Sequence, residues 1–296
     1  MIGSIAGDQI GAPFEFHNVS NEDFGPLFSS KSIYTDDTVL SIATADVILN
    51  GGNYSEEYLK YAQAYPNRGY GGNFGEMVKR GRLEPYDSYG NGSAMRVSPV
   101  GWAYEGEHDE DRRVKANCDG FAITIREAAK SAECTHNHSE GIKGAVAIAG
   151  AIYLARKGHS KENIKKTIEG LTYDLSKKTY DFRQGKFEVT CQETIPRCMA
   201  VFLETDNFES AMRKAVAMGG DVDTNCCIVG GICDAFYGLP NKEIIENVYI
   251  RLPKPLADTV TAFTKKYVDK DFQEPDVKIG SMTGTLEDQL SSLFTK

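Results

Sequence analysis

No C-x-x-C pair occurs among the seven cysteines of this 296-residue chain (Cys118, Cys134, Cys191, Cys198, Cys226, Cys227 and Cys233). That absence, with the odd count, argues against a disulfide framework or a zinc ribbon and suits a reducing cytoplasm. Long apolar runs are missing too. The best stretch, GAVAIAGAIYLA at residues 144–155, falls well short of the roughly 20 residues that a bilayer span needs. Its alanines and glycines fit a helix packed closely inside a core. The N-terminus has neither the basic segment nor the apolar run of a signal peptide. There is no basic excess: the net charge is -9. An extensive nucleic-acid surface is therefore disfavoured, because neutralising phosphates takes clustered Lys and Arg. An acidic protein can still hold an anionic ligand through backbone N–H groups or bound cations. The G-x-x-x-x-G-K-[ST] phosphate loop, the H-E-x-x-H helix and the G-x-S-x-G elbow are also absent.

What is present is mainly helical. With 41% hydrophobic and 25% charged residues the composition is that of a globular protein. Residues 36–49 (DDTVLSIATADVIL) place Val39, Leu40, Ala43 and Val47 at three- and four-residue intervals. Residues 55–64 open on a cap-like Ser55 followed by Glu56 and Glu57. Segments 113–132, 139–157, 161–171, 191–202, 207–218, 223–237, 242–251 and 255–269 also read as helices, and no series of period-two strands competes with them. The expectation is an all-α, compact, single-domain and monomeric protein. Its domain spans 1–272, with 273–296 a docked terminal helix or a loose tail. Glycine-rich connections at 68–75, 89–96 and 218–224 allow a ligand to approach the main chain.

Two acidic pairs stand at helix entrances: Asp36 and Asp37, flanked by Thr35 and Thr38, and Asp221 and Asp223, followed by Thr224. A single Asp would serve as a helix cap. Two pairs, each ahead of an apolar helix, concentrate negative charge where the chain becomes buried. Their carboxylates and hydroxyls form the hard-oxygen set preferred by Mg²⁺, Mn²⁺ or Ca²⁺. Converging in a cleft, they would need cations to offset their charge. The phosphatase pattern D-x-D-x-[TV] fails because Asn225 holds its fifth position and the preceding segment reads as helix.

The series GDQIGAPFEF from Gly7, Thr35-Asp36-Asp37-Thr38, Gly90-Asn91-Gly92-Ser93-Ala94-Met95-Arg96, Thr135-His136 and Gly219-Gly220-Asp221-Val222-Asp223-Thr224 resembles the ADP-ribosylglycohydrolase family, over about residues 1–240. The resemblance implies an all-α fold with a binuclear metal cleft, usually Mg²⁺ or Mn²⁺, and cleavage of the glycosidic bond at the distal ribose of ADP-ribose. It further implies Thr35, Asp36, Asp37, Asp221, Asp223 and Thr224 as metal ligands, and Glu15 as the acidic residue beside them. Asn91, Gly92 and Ser93 fall in the diphosphate-binding turn, and His136 matches a substrate-contacting histidine. Met95, Gly71 and Gly220 complete the substrate-binding candidates. Val222 departs from the small polar residue common in relatives and alters no ligand. Because the chain starts almost on the first motif, a loosely anchored N-terminal helix is expected.

For such a reaction, passing through an oxocarbenium-like state, Glu15 is the candidate to manage the proton, with Asp36 as the alternative. The substrate implied is an ADP-ribose-bearing partner, foremost an ADP-ribosylated protein. Bland readings remain beside these. His136 and His138 could be loop residues or half of a zinc pair, Arg96 could meet a phosphate or an internal carboxylate, and Phe14, Tyr70 and Phe74 could stack on adenine or simply pack. A non-catalytic ADP-ribose binder, a metal-dependent phosphohydrolase and a nucleic-acid de-ADP-ribosylase are the competing functions.

Overall fold

The chain runs through helices α1 (Ile2–Gly11), α2 (Asp36–Asn50), α3 (Tyr54–Ala64), α4 (Gly72–Lys79), α5 (Gly92–Met95), α6 (Ser98–Ala103) and α7 (Gly120–Glu133). It continues through α8 (Ser139–Arg156), α9 (Lys161–Leu171), α10 (Cys191–Glu204), α11 (Phe208–Met218), α12 (Val222–Tyr237), α13 (Lys242–Arg251) and α14 (Lys254–Tyr267). This computed structural model describes residues 1–105 and 120–284. Among the described residues there is no strand, only an isolated bridge between Gly90 and Thr190, so the protein is all-α as expected. No helix of the described residues is long and apolar enough to cross a membrane.

The fold is organised on the pair α1 and α12. Gly3, Gly7 and Gly11 recur every fourth residue, which clears one helix face of side chains. That face meets backbone. A Cβ on Gly3 would lie 2.5 Å from the Gly230 carbonyl oxygen, one on Gly7 would collide with the Cys226 carbonyl, and one on Gly11 would lie 2.5 Å from the Val222 carbonyl oxygen. The neighbours of these glycines fall in α12 as their own numbers rise, so the helices are antiparallel. The C-terminal end of α1 therefore stands beside the N-terminal end of α12. Every residue of α1 is buried, and Gly3 N and the Met1 amino group both donate to the buried carboxylate of Asp234. The expectation of a loose N-terminal helix is thus overturned: close backbone packing, not a long lead-in, anchors it.

The remaining helices surround this pair. α2 is buried over most of its length, and Thr35 caps it by accepting from Asp37 N. α3 begins at Tyr54 with Asn53 as the cap, one residue ahead of the Ser55 start expected from sequence. α7 begins at Gly120; the earlier part of its expected range, 113–119, lies outside the described residues. The glycine-rich connections carry the short helices α4 and α5, which sequence periodicity does not announce. Residues 273–284 form turns rather than helix and run beside α13, with Met282 N donating to Ile250 O at 2.8 Å. The rest of the expected tail lies outside the described residues. The six described cysteines are free thiols, and Cys118 is outside the described range.

Candidate active site

Three helix ends meet at one place: the C-terminal end of α1, the N-terminus of α2 and the N-terminus of α12. The two N-termini supply partial positive charge to a cluster of acids. Asp8, Asp37 and Asp223 each direct one carboxylate oxygen into a group whose atoms lie within 4.8 Å of one another, and Glu15, Asp221 and Asp223 form a second such group. Asp223 belongs to both. Asp36 belongs to neither; it is partly exposed and lines the cleft above them.

Asp8 was not among the sequence candidates, yet it is completely buried at the base of the site. Its carboxylate accepts from Thr35 N at 2.9 Å, Thr35 Oγ1 at 2.7 Å and Thr38 N at 3.2 Å, and also from Thr38 Oγ1. Thr35 is thereby turned toward Asp8 and does not line the cleft. Thr224 Oγ1 donates to Asp37 Oδ2 at 3.2 Å. Asp221 stands at the N-cap of α12 without capping it. Its Oδ2 instead accepts from Asn91 Nδ2 at 2.6 Å, so Asn91 holds an acid as well as lining the cleft.

Burial is the dominant electrostatic fact. It pushes the Asp8 carboxyl up to about 6 against its hydrogen bonds and Glu15 up to about 8, with the charges of Asp221 and Asp8 adding to the rise. Burial, reinforced by neighbouring carboxylates, places Asp36, Asp37 and Asp223 well above the ordinary range. Asp221 is raised by burial too. Six such acids titrate as a set and cannot all ionise without compensation. Asp37 Oδ1 is buried with no hydrogen-bond partner. A buried, orphaned carboxylate oxygen among hard oxygen donors fits a divalent cation.

The cleft above the acids has a volume of about 490 Å³. Its lining includes Glu15, Asp36, Asp37, Asp221, Asp223 and Thr224 together with Gly71, Asn91, Gly92, Met95, Arg96 and His136. Two substrate candidates are placed differently. Ser93 donates its hydroxyl to Gly141 O at 2.6 Å and is fully buried, so it does not offer that hydroxyl to the cleft. Gly220, at φ +91°, forms the turn before Asp221 and donates its N–H to Asn18 Oδ1 at 2.9 Å.

A match to the ADP-ribosylglycohydrolase family model spans residues 1–270. The chain belongs to the ADP-ribosylglycohydrolase family. Its relatives include human ADP-ribosylhydrolase ARH3, 26% identical over 81% of this chain and 84% of that one. Another is the ADP-ribosylarginine hydrolase Tri1 of Pseudomonas putida, 22% identical over 84% of this chain and 72% of that one. A solved structure described as an ADP-ribosylglycohydrolase-related protein complex superposes with a TM-score of 0.67 at 20% identity, covering 89% of this chain and 95% of that one; this supports the fold. As a member of the ADP-ribosylglycohydrolase family the chain is a glycosyl hydrolase.

In this ADP-ribosylglycohydrolase, several cleft features escape sequence reasoning. His138 does not pair with His136; its Nδ1 accepts from Glu140 N at 3.1 Å and caps α8. Arg96 lines the cleft and pairs with no carboxylate among the described residues. It is buried, stacked 4.1 Å from the Tyr58 ring centroid, and donates to Ser131 O at 3.1 Å and Thr135 Oγ1 at 2.8 Å. Phe14 packs on Phe24 and Tyr70 stacks on Phe74; of the three aromatic candidates only Phe74 lines the cleft. Phe187 and Val189 line the mouth with half their surface exposed, on a segment with no periodicity to mark it. That segment is tied down by the buried Arg197, whose guanidinium donates to Arg183 O, Lys186 O and Gly219 O at 3.2–3.3 Å. The signal for Asp8 was present: an acid within an apolar, glycine-spaced helix has to be held by partners.

Proposed function

We propose that this enzyme is a divalent-metal-dependent hydrolase that cleaves the glycosidic bond at the distal ribose of ADP-ribose, reversing ADP-ribosylation of an arginine or serine side chain or opening a small ADP-ribosyl conjugate. The observation that carries this reading is the convergence of acids from three distant segments around the orphaned Asp37 oxygen at the base of a cleft. Asp36, Asp37, Asp221, Asp223 and Thr224 would hold two cations, Mg²⁺ or Mn²⁺, while Thr35, also implied by the family resemblance, gives its hydroxyl to Asp8 instead. Bound there, the cations supply Lewis-acid stabilisation of charge on ribose and water oxygens.

The chain's own groups divide the remaining work. The N–H groups of Gly92 and Ser93, at the start of α5 where the helix offers them no acceptor, would suit an anionic diphosphate. His136, at the same wall, would contact the substrate. Glu15 would give its proton to the departing atom as the C1″ bond breaks and its electron pair leaves with that atom. A water oxygen then bonds to C1″ and returns a proton to the Glu15 carboxylate, so the group ends as it began. Asp36, more exposed than its neighbours, is the alternative for this role.

The test is ADP-ribose release from a panel of arginine-linked, serine-linked and small-molecule substrates, with and without chelator. Release by the cation-loaded enzyme is expected, with loss on chelation. Glu15→Gln should keep its bound cations and lose about 10²–10⁴-fold in turnover. If every ADP-ribosyl substrate stays intact with Mg²⁺ and Mn²⁺ present, or if orthophosphate is released instead, this reading is wrong.

A further inference from the structure

We propose that Arg96 and Thr135 are positioning residues that fix His136 in a single tautomer, with its Nε2–H turned to the 90–92 turn as a hydrogen-bond donor for a substrate phosphate oxygen. This deepens the ADP-ribosyl reading above and rests on it for the identity of the acceptor.

Arg96 Nη2 lies 2.8 Å from Thr135 Oγ1, and a guanidinium can only donate. Thr135 Oγ1 also lies 2.8 Å from His136 Nδ1. With the hydroxyl oxygen accepting from Arg96, its own proton is the one available to His136. A competing acceptor, the Cys134 sulfur, is much weaker. Nδ1 is then the acceptor, and the ring's remaining proton sits on Nε2. The whole relay is enclosed: Thr135 is fully buried, Arg96 is clamped on Tyr58, and His136 is 5% exposed. Burial, together with the Arg96 charge, holds the imidazole well below its usual range, which keeps it neutral.

Nε2 faces the turn directly. A Cβ added to Gly92 would lie 3.2 Å from it, and one added to Gly90 3.5 Å. The absent side chains leave the place where an anionic oxygen could meet both Nε2–H and backbone N–H groups. Without the relay the ring could carry its proton on Nδ1 and present a lone pair, which repels a phosphate oxygen.

The experiment is ¹⁵N NMR of the histidine rings in the full chain, with His136→Gln for assignment, and ADP-ribose titrations of the same samples. The wild type is expected to show a protonated Nε2 and an unprotonated Nδ1 at His136. Thr135→Val should shift the ring toward the other tautomer and weaken ADP-ribose binding by about tenfold, with a smaller change in kcat. Thr135→Ser should restore both. A wild-type ring protonated at Nδ1 overturns the proposal, as does Thr135→Val with unchanged ADP-ribose affinity. Should Thr135→Val not fold, the wild-type spectrum and Thr135→Ser still decide. The tautomer is read without substrate, so a chain that hydrolyses no ADP-ribosyl bond yet shows the Nε2–H ring counts against the proposed function and not against the relay.

Discussion

Two sets of residues at and behind the cleft, an acidic wall and a largely neutral wall that meet where Asn91 donates to Asp221, are built on opposite principles. On one, Asp8, Asp37, Asp221 and Asp223 are buried acids with raised protonation constants and an orphaned oxygen at Asp37. On the other, Asn91, Ser93, Arg96, Thr135 and His136 are joined by hydrogen bonds to protein partners. The acidic wall carries unspent capacity and is strained by its own charge. The neutral wall is satisfied throughout except at Arg96 Nε, which is buried without a partner. A ligand-ready site thus combines one surface that needs a charged partner with another whose shape is already set.

The largest break in this contrast should come from Asp223, which both carboxylate groups share. Asp223→Asn is expected to lower kcat/KM about a thousandfold, because cation-based stabilisation is worth several kcal/mol. Steady-state kinetics at saturating Mn²⁺ checks it, and turnover within tenfold of wild type would falsify the shared role.

Next comes the support under the acidic wall. Gly7→Ala puts a methyl into the Cys226 carbonyl and should cost about 2–3 kcal/mol, as overpacking of a tight core does. Chemical denaturation measures the loss. A neutral result would mean that α1 and α12 can separate without penalty.

The acids also predict a pH dependence. Burial raises Asp8 to about 6 and Glu15 to about 8, and it raises Asp36, Asp37, Asp221 and Asp223 above the ordinary carboxylate range as well. The folded state therefore binds more protons than the unfolded one, and stability falls as pH rises. In chelated protein this contribution is full below about pH 4 and fades through pH 6 to 8. The melting temperature should drop by several degrees over that window. Divalent cations should reverse the drop, more strongly at pH 8 than at pH 6. A chelated protein with a flat profile across the window would show that the acids are compensated internally.

Changes on the neutral wall should be smaller and should leave kcat little altered. Gly92→Ala places a Cβ 3.2 Å from His136 Nε2 and should raise KM several-fold with kcat little changed. Ser93→Ala removes the bond to Gly141 O and should cost about 1 kcal/mol of stability, with KM unmoved, as judged by parallel melting and kinetic measurements. A KM change in Ser93→Ala would put its hydroxyl back in the cleft.

The acidic wall was far more legible in the sequence than the neutral one, and α2 more than α1. Val39, Leu40, Ala43 and Val47 mark α2 by their spacing, and the Asp-Asp and Asp-Val-Asp clusters announce themselves by charge. α1 is buried all round, so it has no polar face to set a period, and its glycines read as turn residues until α12 is placed beside them. Asp8 lies within the GDQIGAPFEF segment without a mark of its own, because its partners Thr35 and Thr38 are distant in sequence. The roles of Arg96 and Ser93 depend on Thr135, Tyr58 and Gly141, which only tertiary packing supplies. Phe187 and Val189 belong to an aperiodic rim whose position is set by Arg197.

The antiparallel seam between α1 and α12 has a consequence for synthesis. Contacts across it join residues more than two hundred positions apart, as in the bond from Ser4 Oγ to Cys227 O. A chain emerging from the ribosome would hold Asp8, Glu15, Asp36 and Asp37 long before Asp221 and Asp223 exist to complete the cluster. The hydrophobic seam and the acid cluster close in the same event, late in translation. Catalytic competence in this protein is therefore a readout of finished folding, and a nascent chain released short of α12 would carry the first acids without the enclosure that gives them their chemistry.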